Sequence, residues 1–198
     1  MAQSYLNNTY NLVVIGGSAG SLEVVLKILP QLKPGSSASI IIVMHRKITY
    51  DFSLSDLLAS KTKWNVLEAD EKQVLKHDHI YLAPADYHLL IEKDHTISLD
   101  VSEKVNYSRP SIDVTYESAA DVYHSTLAAI LLSGANDDGV EGLRKVKSSG
   151  GLTIVQDPKT ASVAYMPQHA INKVAVDLIL APEELGNLIN QLGYPKGR

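Results

Sequence analysis

Short runs of uninterrupted apolar, mostly β-branched residues set the tightest limit on what this 198-residue chain can fold into. Leu12-Val13-Val14-Ile15 and Ile40-Ile41-Ile42-Val43-Met44 contain no polar residue that would mark a solvent face, the pattern of strands covered on both sides. Between them Leu22, Val25, Leu26, Leu29 and Leu32 recur at helical spacing until Pro34-Gly35 ends the pattern. A buried strand, a crossover helix and a second buried strand imply a right-handed βαβ unit. The alternation continues, with helices expected over 112–124, 140–148 and 182–192 and strands over 127–132, 152–155 and 176–180. One interruption breaks it: strands are expected at 80–83, 89–92 and 96–99 with no helix between them, the last two joined around Lys93-Asp94-His95. The expected fold is therefore α/β: a doubly wound, mostly parallel, Rossmann-like three-layer sheet with an antiparallel hairpin at one edge. No repeat or linker divides it. The expectation is a short extension over 1–11 followed by one catalytic domain over 12–198.

Composition removes several classes of function. Lys and Arg number 18 against 22 Asp and Glu, a net charge of −4. No basic run is longer than Arg46-Lys47, so there is no footprint for a phosphate backbone and nucleic acid is not an expected partner. The chain has no cysteine, which excludes disulfides, thiolate metal sites and cysteine nucleophiles and suits a reducing compartment. The first residues show no signal-peptide pattern and no stretch is long enough to span a bilayer, so a cytoplasmic protein without membrane insertion is expected.

In open α/β sheets, sites form beyond the carboxyl ends of the strands. Three segments stand there. Gly16-Gly17-Ser18-Ala19-Gly20 matches G-x-S-x-G between a strand and a helix, where a sharp turn projects a hydroxyl and the helix offers free N–H groups to an oxyanion. A glycine turn of the dinucleotide type is the competing reading, but Ser18 occupies the place of the second glycine of G-x-G-x-x-G and no acidic residue follows the second strand. His45 ends the 40–44 run. Ser133-Gly134-Ala135-Asn136-Asp137-Asp138-Gly139 follows the 127–132 strand; Asp138 there either caps the helix beginning near Gly139 or orients a histidine on a neighbouring strand. Together Ser18, His45 and Asp138 are the set that acyl transfer requires: nucleophile, base and orienting carboxylate. Their chain order, Ser-His-Asp, differs from the Ser-Asp-His order of α/β-hydrolases. The other histidines, His77, His79, His88, His95, His124 and His169, show no metal-ligand spacing, so no metal site is expected. Asp137 is the fallback for Asp138.

These residues lie in segments that resemble the catalytic domain of the CheB family of chemotaxis protein-glutamate methylesterases, from about Leu12 to Asn190. The likeness is carried by Val14-Ile15-Gly16-Gly17-Ser18-Ala19-Gly20, Val43-Met44-His45, Tyr81-Leu82-Ala83-Pro84-Ala85-Asp86-Tyr87-His88, Arg109-Pro110-Ser111-Ile112-Asp113, Leu132-Ser133-Gly134-Ala135-Asn136-Asp137-Asp138-Gly139 and Met166-Pro167-Gln168-His169-Ala170-Ile171. The resemblance implies nucleophile, base and carboxylate at Ser18, His45 and Asp138, oxyanion N–H donors at Ala19 and Ala135, and no cofactor. It implies hydrolysis of γ-glutamyl methyl esters on the cytoplasmic helices of a chemoreceptor or similar signalling protein, with glutamine deamidation beside it. A methyltransferase or a separate receiver protein is the other implied partner. Arg109 and Met166 fall in segments implied to lie near the site, Arg109 either steering an acidic substrate or bracing a loop. Family members commonly carry a receiver domain ahead of the catalytic one; eleven residues precede the first strand here. Arg46-Lys47-Ile48 after His45, Ala19-Gly20-Ser21 after Ser18, and Ala135-Asn136 depart from the usual pattern. These departures motivate the alternative of a CheB-like binding module with weak or no turnover.

Overall fold

The structure, a computed structural model, describes residues 9–46 and 54–194. Most of the expected 1–11 extension, and Lys47 and Ile48, lie outside the described residues. Strand β1 (Leu12–Gly17) is buried along its whole length and pairs in parallel with β2 (Ser39–Met44) on one side and β7 (Leu127–Leu131) on the other. Its register with β2 runs from Leu12 beside Ser39 to Gly17 beside Met44, so both strands end at one level. Outside this central trio lie β3 (Asn65–Glu68), β4 (His79–Leu82), β8 (Leu152–Gln156) and β9 (Leu178–Leu180). Among the described residues the sheet thus has seven strands in the order β3-β4-β2-β1-β7-β8-β9, all parallel.

The apolar runs have no polar side because helices cover both. Val13, Ile15, Ile40 and Ile42 pack with α1 (Ser21–Ile28) and α6 (Pro182–Gly193) through Val25, Ile28, Leu185 and Leu188. Leu12, Val14, Ile41 and Val43 face the opposite layer, packing with α3 (Ile112–Tyr123), α4 (Val140–Ser148) and α5 (Tyr165–Lys173). Between β1 and β7 the chain's direction of travel across the sheet reverses, the switch point at which loops diverge and leave a crevice.

The expected hairpin is present as β5 (His88–Ile91) and β6 (Ile97–Asp100), paired antiparallel. It forms its own two-stranded sheet against α3, while 80–83 joins the parallel sheet as β4. Sequence periodicity does not mark α2 (Leu54–Ala59), α5 or the edge strand β3, whose four residues are half-exposed or exposed. No helix among the described residues is long and apolar enough to cross a membrane.

Candidate active site

Ser18 follows β1, and glycines allow the close approaches around it. A Cβ on Gly16 would overlap Ile112 Cγ2 and lie 2.9 Å from the Tyr116 hydroxyl, because α3 presses against the end of β1. Gly134, on the loop after β7, is equally constrained: a Cβ there would sit 2.5 Å from Met166 Sδ and 3.1 Å from Ser18 Cβ. The two loops are also joined by hydrogen bonds, Ser18 N–H to Ser133 O at 2.9 Å and Ser133 Oγ to Ala19 O at 2.7 Å. Gly20, at φ 81°, turns the chain into α1. Ser18 Oγ makes no hydrogen bond among the described residues, and neither Ala19 N–H nor Ala135 N–H has an acceptor there. Both N–H groups are thus unspent on the loops that flank Ser18.

The other half of the site is a polar network. His45, at the end of β2, places Nε2 2.7 Å from Asp138 Oδ2. Asp138 is fully buried. It caps a helix, though not the one it precedes in sequence: it sits at the N-terminus of α3. There Ile112 N–H donates to Oδ2 at 2.7 Å, Asp113 N–H to Oδ1 at 3.1 Å and Ser111 Oγ to Oδ1 at 2.8 Å. Burial alone would raise the Asp138 pKa, but the His45 hydrogen bond, the Ile112 N–H and Ser111 outweigh it and hold the carboxyl below its usual range. An ionised carboxylate only accepts, so His45 Nε2 carries the proton and Nδ1 is left with its lone pair. Nδ1 is met by Ser108 Oγ at 3.3 Å, and Asn136 Nδ2 donates to the same hydroxyl at 3.3 Å.

Beside Asp138 lies a second buried carboxyl, Asp113, which accepts from Gly142 N–H at 2.7 Å and from Asn106 Nδ2 at 2.9 Å. Asn106 Nδ2 also reaches Asp138 Oδ1 at 3.4 Å. Burial pushes Asp113 up to about 7, and the charge of Asp138 adds to the rise. Asp137, the fallback, is exposed, with His169 Nε2 at 3.6 Å, and has no part in this network.

Met166 is fully buried beneath Gly134, its N–H donating to Gly134 O at 2.9 Å, so it supports the loop from below. Arg109 lines a cleft of about 280 Å³ with His45 but spends its guanidinium on Asp86 Oδ1 and on the carbonyls of Val101 and Ser102, the geometry of a brace. Sequence reasoning missed Asn106, Ser108, Asn136, Ser133 and His88. His88, 1% exposed, accepts the Ser111 N–H on Nδ1 at 3.1 Å and so holds the residue that holds Asp138. None of these carries a local signal; Ser111, whose part in the network was also missed, does, as a hydroxyl residue directly before a helical run.

A free hydroxyl and an imidazole polarised by a buried carboxylate, on neighbouring strand ends with unspent N–H groups, equip this edge for acyl transfer and place the protein among the hydrolases. The comparisons sharpen that class. A family model described as CheB methylesterase matches residues 13–189. A Leptospira interrogans protein, provisionally named protein-glutamate methylesterase/protein-glutamine glutaminase, is 44% identical over 183 residues, 92% of this chain and 95% of that one. The Thermotoga maritima protein-glutamate methylesterase/protein-glutamine glutaminase is 35% identical over 185 residues, 90% of this chain and 54% of that protein. The crystal structure of the Thermotoga maritima CheB methylesterase catalytic domain matches with a TM-score of 0.88 at 32% identity, covering 93% of this chain and 100% of that one. The chain belongs to the CheB methylesterase family.

Proposed function

We propose that the protein hydrolyses γ-methyl esters of glutamate side chains on a signalling protein of the chemoreceptor kind, yielding glutamate and methanol, with glutamine deamidation as the same chemistry releasing ammonia. Residues 12–198 act in this reading as one catalytic domain, working in the cytoplasm without a metal or organic cofactor. A methyltransferase supplying the esters, and a receiver protein, are the proposed further partners. Ser18 Oγ attacks the ester carbonyl carbon as its proton passes to His45 Nδ1, the nitrogen that Asp138 leaves free. The oxyanion takes hydrogen bonds from the N–H groups of Ala19 and Ala135. The C–O bond to the leaving group breaks, methanol departs with the proton from His45, and an acyl-Ser18 remains. His45 then deprotonates water, which attacks the acyl carbon; Ser18 recovers its proton as glutamate is freed. Asp138 stays ionised throughout and stabilises the transient imidazolium.

The single observation that carries the reading is the 2.7 Å contact between His45 and the fully buried Asp138, one strand away from an unbonded Ser18. The test is methanol release from a peptide bearing a glutamate γ-methyl ester, comparing the unmutated protein with Ser18→Ala. Equal release from both would overturn it.

A further inference from the structure

One turn touches the network behind His45 through Asn106 and Ser108 on its inner side and faces solvent on its outer side. Val105 and Ser108 exchange both backbone hydrogen bonds, Ser108 N–H to Val105 O at 2.8 Å and Val105 N–H to Ser108 O at 3.2 Å. The two residues between them, Asn106 at φ 49° and Tyr107 at φ 62°, are both left-handed, the type I′ arrangement in which Asn followed by Gly is strongly favoured. Asn106 fits that preference and sends its amide inward to Asp113 and Asp138. Tyr107 does not fit it. Its side chain is 98% exposed, so no packing within the fold offsets the left-handed backbone at a residue with a Cβ.

The turn also borders the 280 Å³ cleft, whose lining is His45, Arg46, Lys104, Tyr107, Ser108 and Arg109. A chain with net charge −4 thus gathers three cations beside its base. Arg46 is paired with Glu68 and Arg109 with Asp86. Lys104 is exposed and has no acidic partner among the described residues, and Arg46 Nε is buried without a hydrogen-bond acceptor there.

We propose that the 105–108 turn and this cleft form the docking surface for a glutamate-rich helical segment of the protein substrate, with Tyr107 lying against the segment and Lys104 facing carboxylates that flank the ester. The unpaired charge of Lys104 is complementary to such a segment, and an exposed aromatic at the rim supplies contact area at low entropic cost. The proposal rests on the methylesterase reading for its substrate. It makes Asn106-Tyr107 one device: the inner residue bridges the carboxylates behind the base while the outer one meets the substrate.

The experiment uses two synthetic helical peptides, each with one glutamate γ-methyl ester, flanked in one by glutamates and in its twin by glutamines. Binding is read by fluorescence anisotropy with the full chain carrying Ser18→Ala, and turnover with the unmutated protein. The acidic peptide is expected to bind about tenfold more tightly at low salt, the difference shrinking at high salt. Lys104→Glu is expected to abolish that preference. Tyr107→Gly is expected to weaken both peptides about fivefold while raising Tm by roughly 2 °C, since glycine relieves the turn. Equal binding of the twins, a preference that survives Lys104→Glu, or a Tm that falls in Tyr107→Gly would overturn the proposal. Tight binding of the acidic peptide without methanol release would instead sink the methylesterase reading and leave the docking surface standing.

Discussion

Ser18 and His45 stand at the ends of adjacent strands, yet their surroundings are held in place by different forces. The Ser18 turn is shaped by steric contact and backbone hydrogen bonds: glycines at 16 and 134 admit Ile112 and Met166, and Ser133 ties the two loops. No side chain hydrogen-bonds Ser18 Oγ among the described residues. The His45 side is a dense polar cluster in which a buried carboxylate takes hydrogen bonds from an imidazole, two backbone N–H groups and a serine hydroxyl. The difference fits the roles proposed for the two groups. A nucleophile has to be placed and left free, whereas a group that develops charge needs its counter-charge fixed beforehand. Mutations on the two sides should therefore fail in different ways.

Ser18→Ala separates chemistry from structure most sharply. It should cost about a millionfold in kcat, as loss of the nucleophile does in serine hydrolases, with little change in Tm because the hydroxyl ties nothing together. A Tm drop of several degrees would show the hydroxyl to be structural and blur the contrast. On the opposite side Asp138→Asn should lower kcat by about 10⁴ by disturbing the imidazole tautomer. It should also lower Tm, because the same carboxylate caps α3. Activity loss with unchanged Tm would mean the cap is dispensable.

Gly134→Ala tests the steric side. Its new Cβ would meet Met166 Sδ at 2.5 Å and Ser18 Cβ at 3.1 Å, so either the methionine yields or the serine moves. A displacement of Ser18 by a fraction of an ångström should cost about 10² in kcat. Gly134→Ala combined with Met166→Ala opens room beneath the loop and should recover part of that loss. If the double variant is no better than the single one, Met166 is not the constraint.

These contrasts also mark how far the sequence could be read. Strands β1, β2 and β7 were legible because apolar runs covered on both faces leave an unmistakable pattern, and the rule that sites form at carboxyl strand ends then pointed to residues 18, 45 and 138. The cluster behind His45 was not legible, because its members converge only through tertiary packing. Asp138 reads in sequence either as a cap for its own helix or as the partner of a histidine; it meets His45, and the helix it caps is α3, which begins earlier in the chain. The 105–108 turn gave no hairpin signal since tyrosine stands where glycine is expected. Strand β3 went unmarked because four exposed or half-exposed residues at a sheet edge carry no period to detect. The hairpin was recognised by its paired apolar stretches, but nothing local says that it stacks on α3 as a separate sheet.

The smallest expected effect concerns Asp113, a cost carried by the polar side and absent from the Ser18 side. Burial and the charge of Asp138 raise its pKa from 3.8 in the unfolded chain to about 7 in the folded protein. As pH rises between those values the unfolded chain gives up a proton that the folded state keeps, so stability falls from about pH 4 to about pH 7 and is level above. Asp138 acts in the opposite sense: its lowered pKa stabilises the fold above pH 3.8, an advantage lost only as acid protonates it. Asp113→Asn should remove the falling limb and move the stability optimum to higher pH, with Tm near neutrality raised by about 2–4 °C relative to the unmutated protein and little difference near pH 4. Thermal melts across that range decide it. Parallel Tm profiles for the two proteins would mean that Asp113 is ionised in the folded state at all these pH values, its charge balanced by the Asn106 amide and the Gly142 N–H, and the polar side would then carry two paired anions.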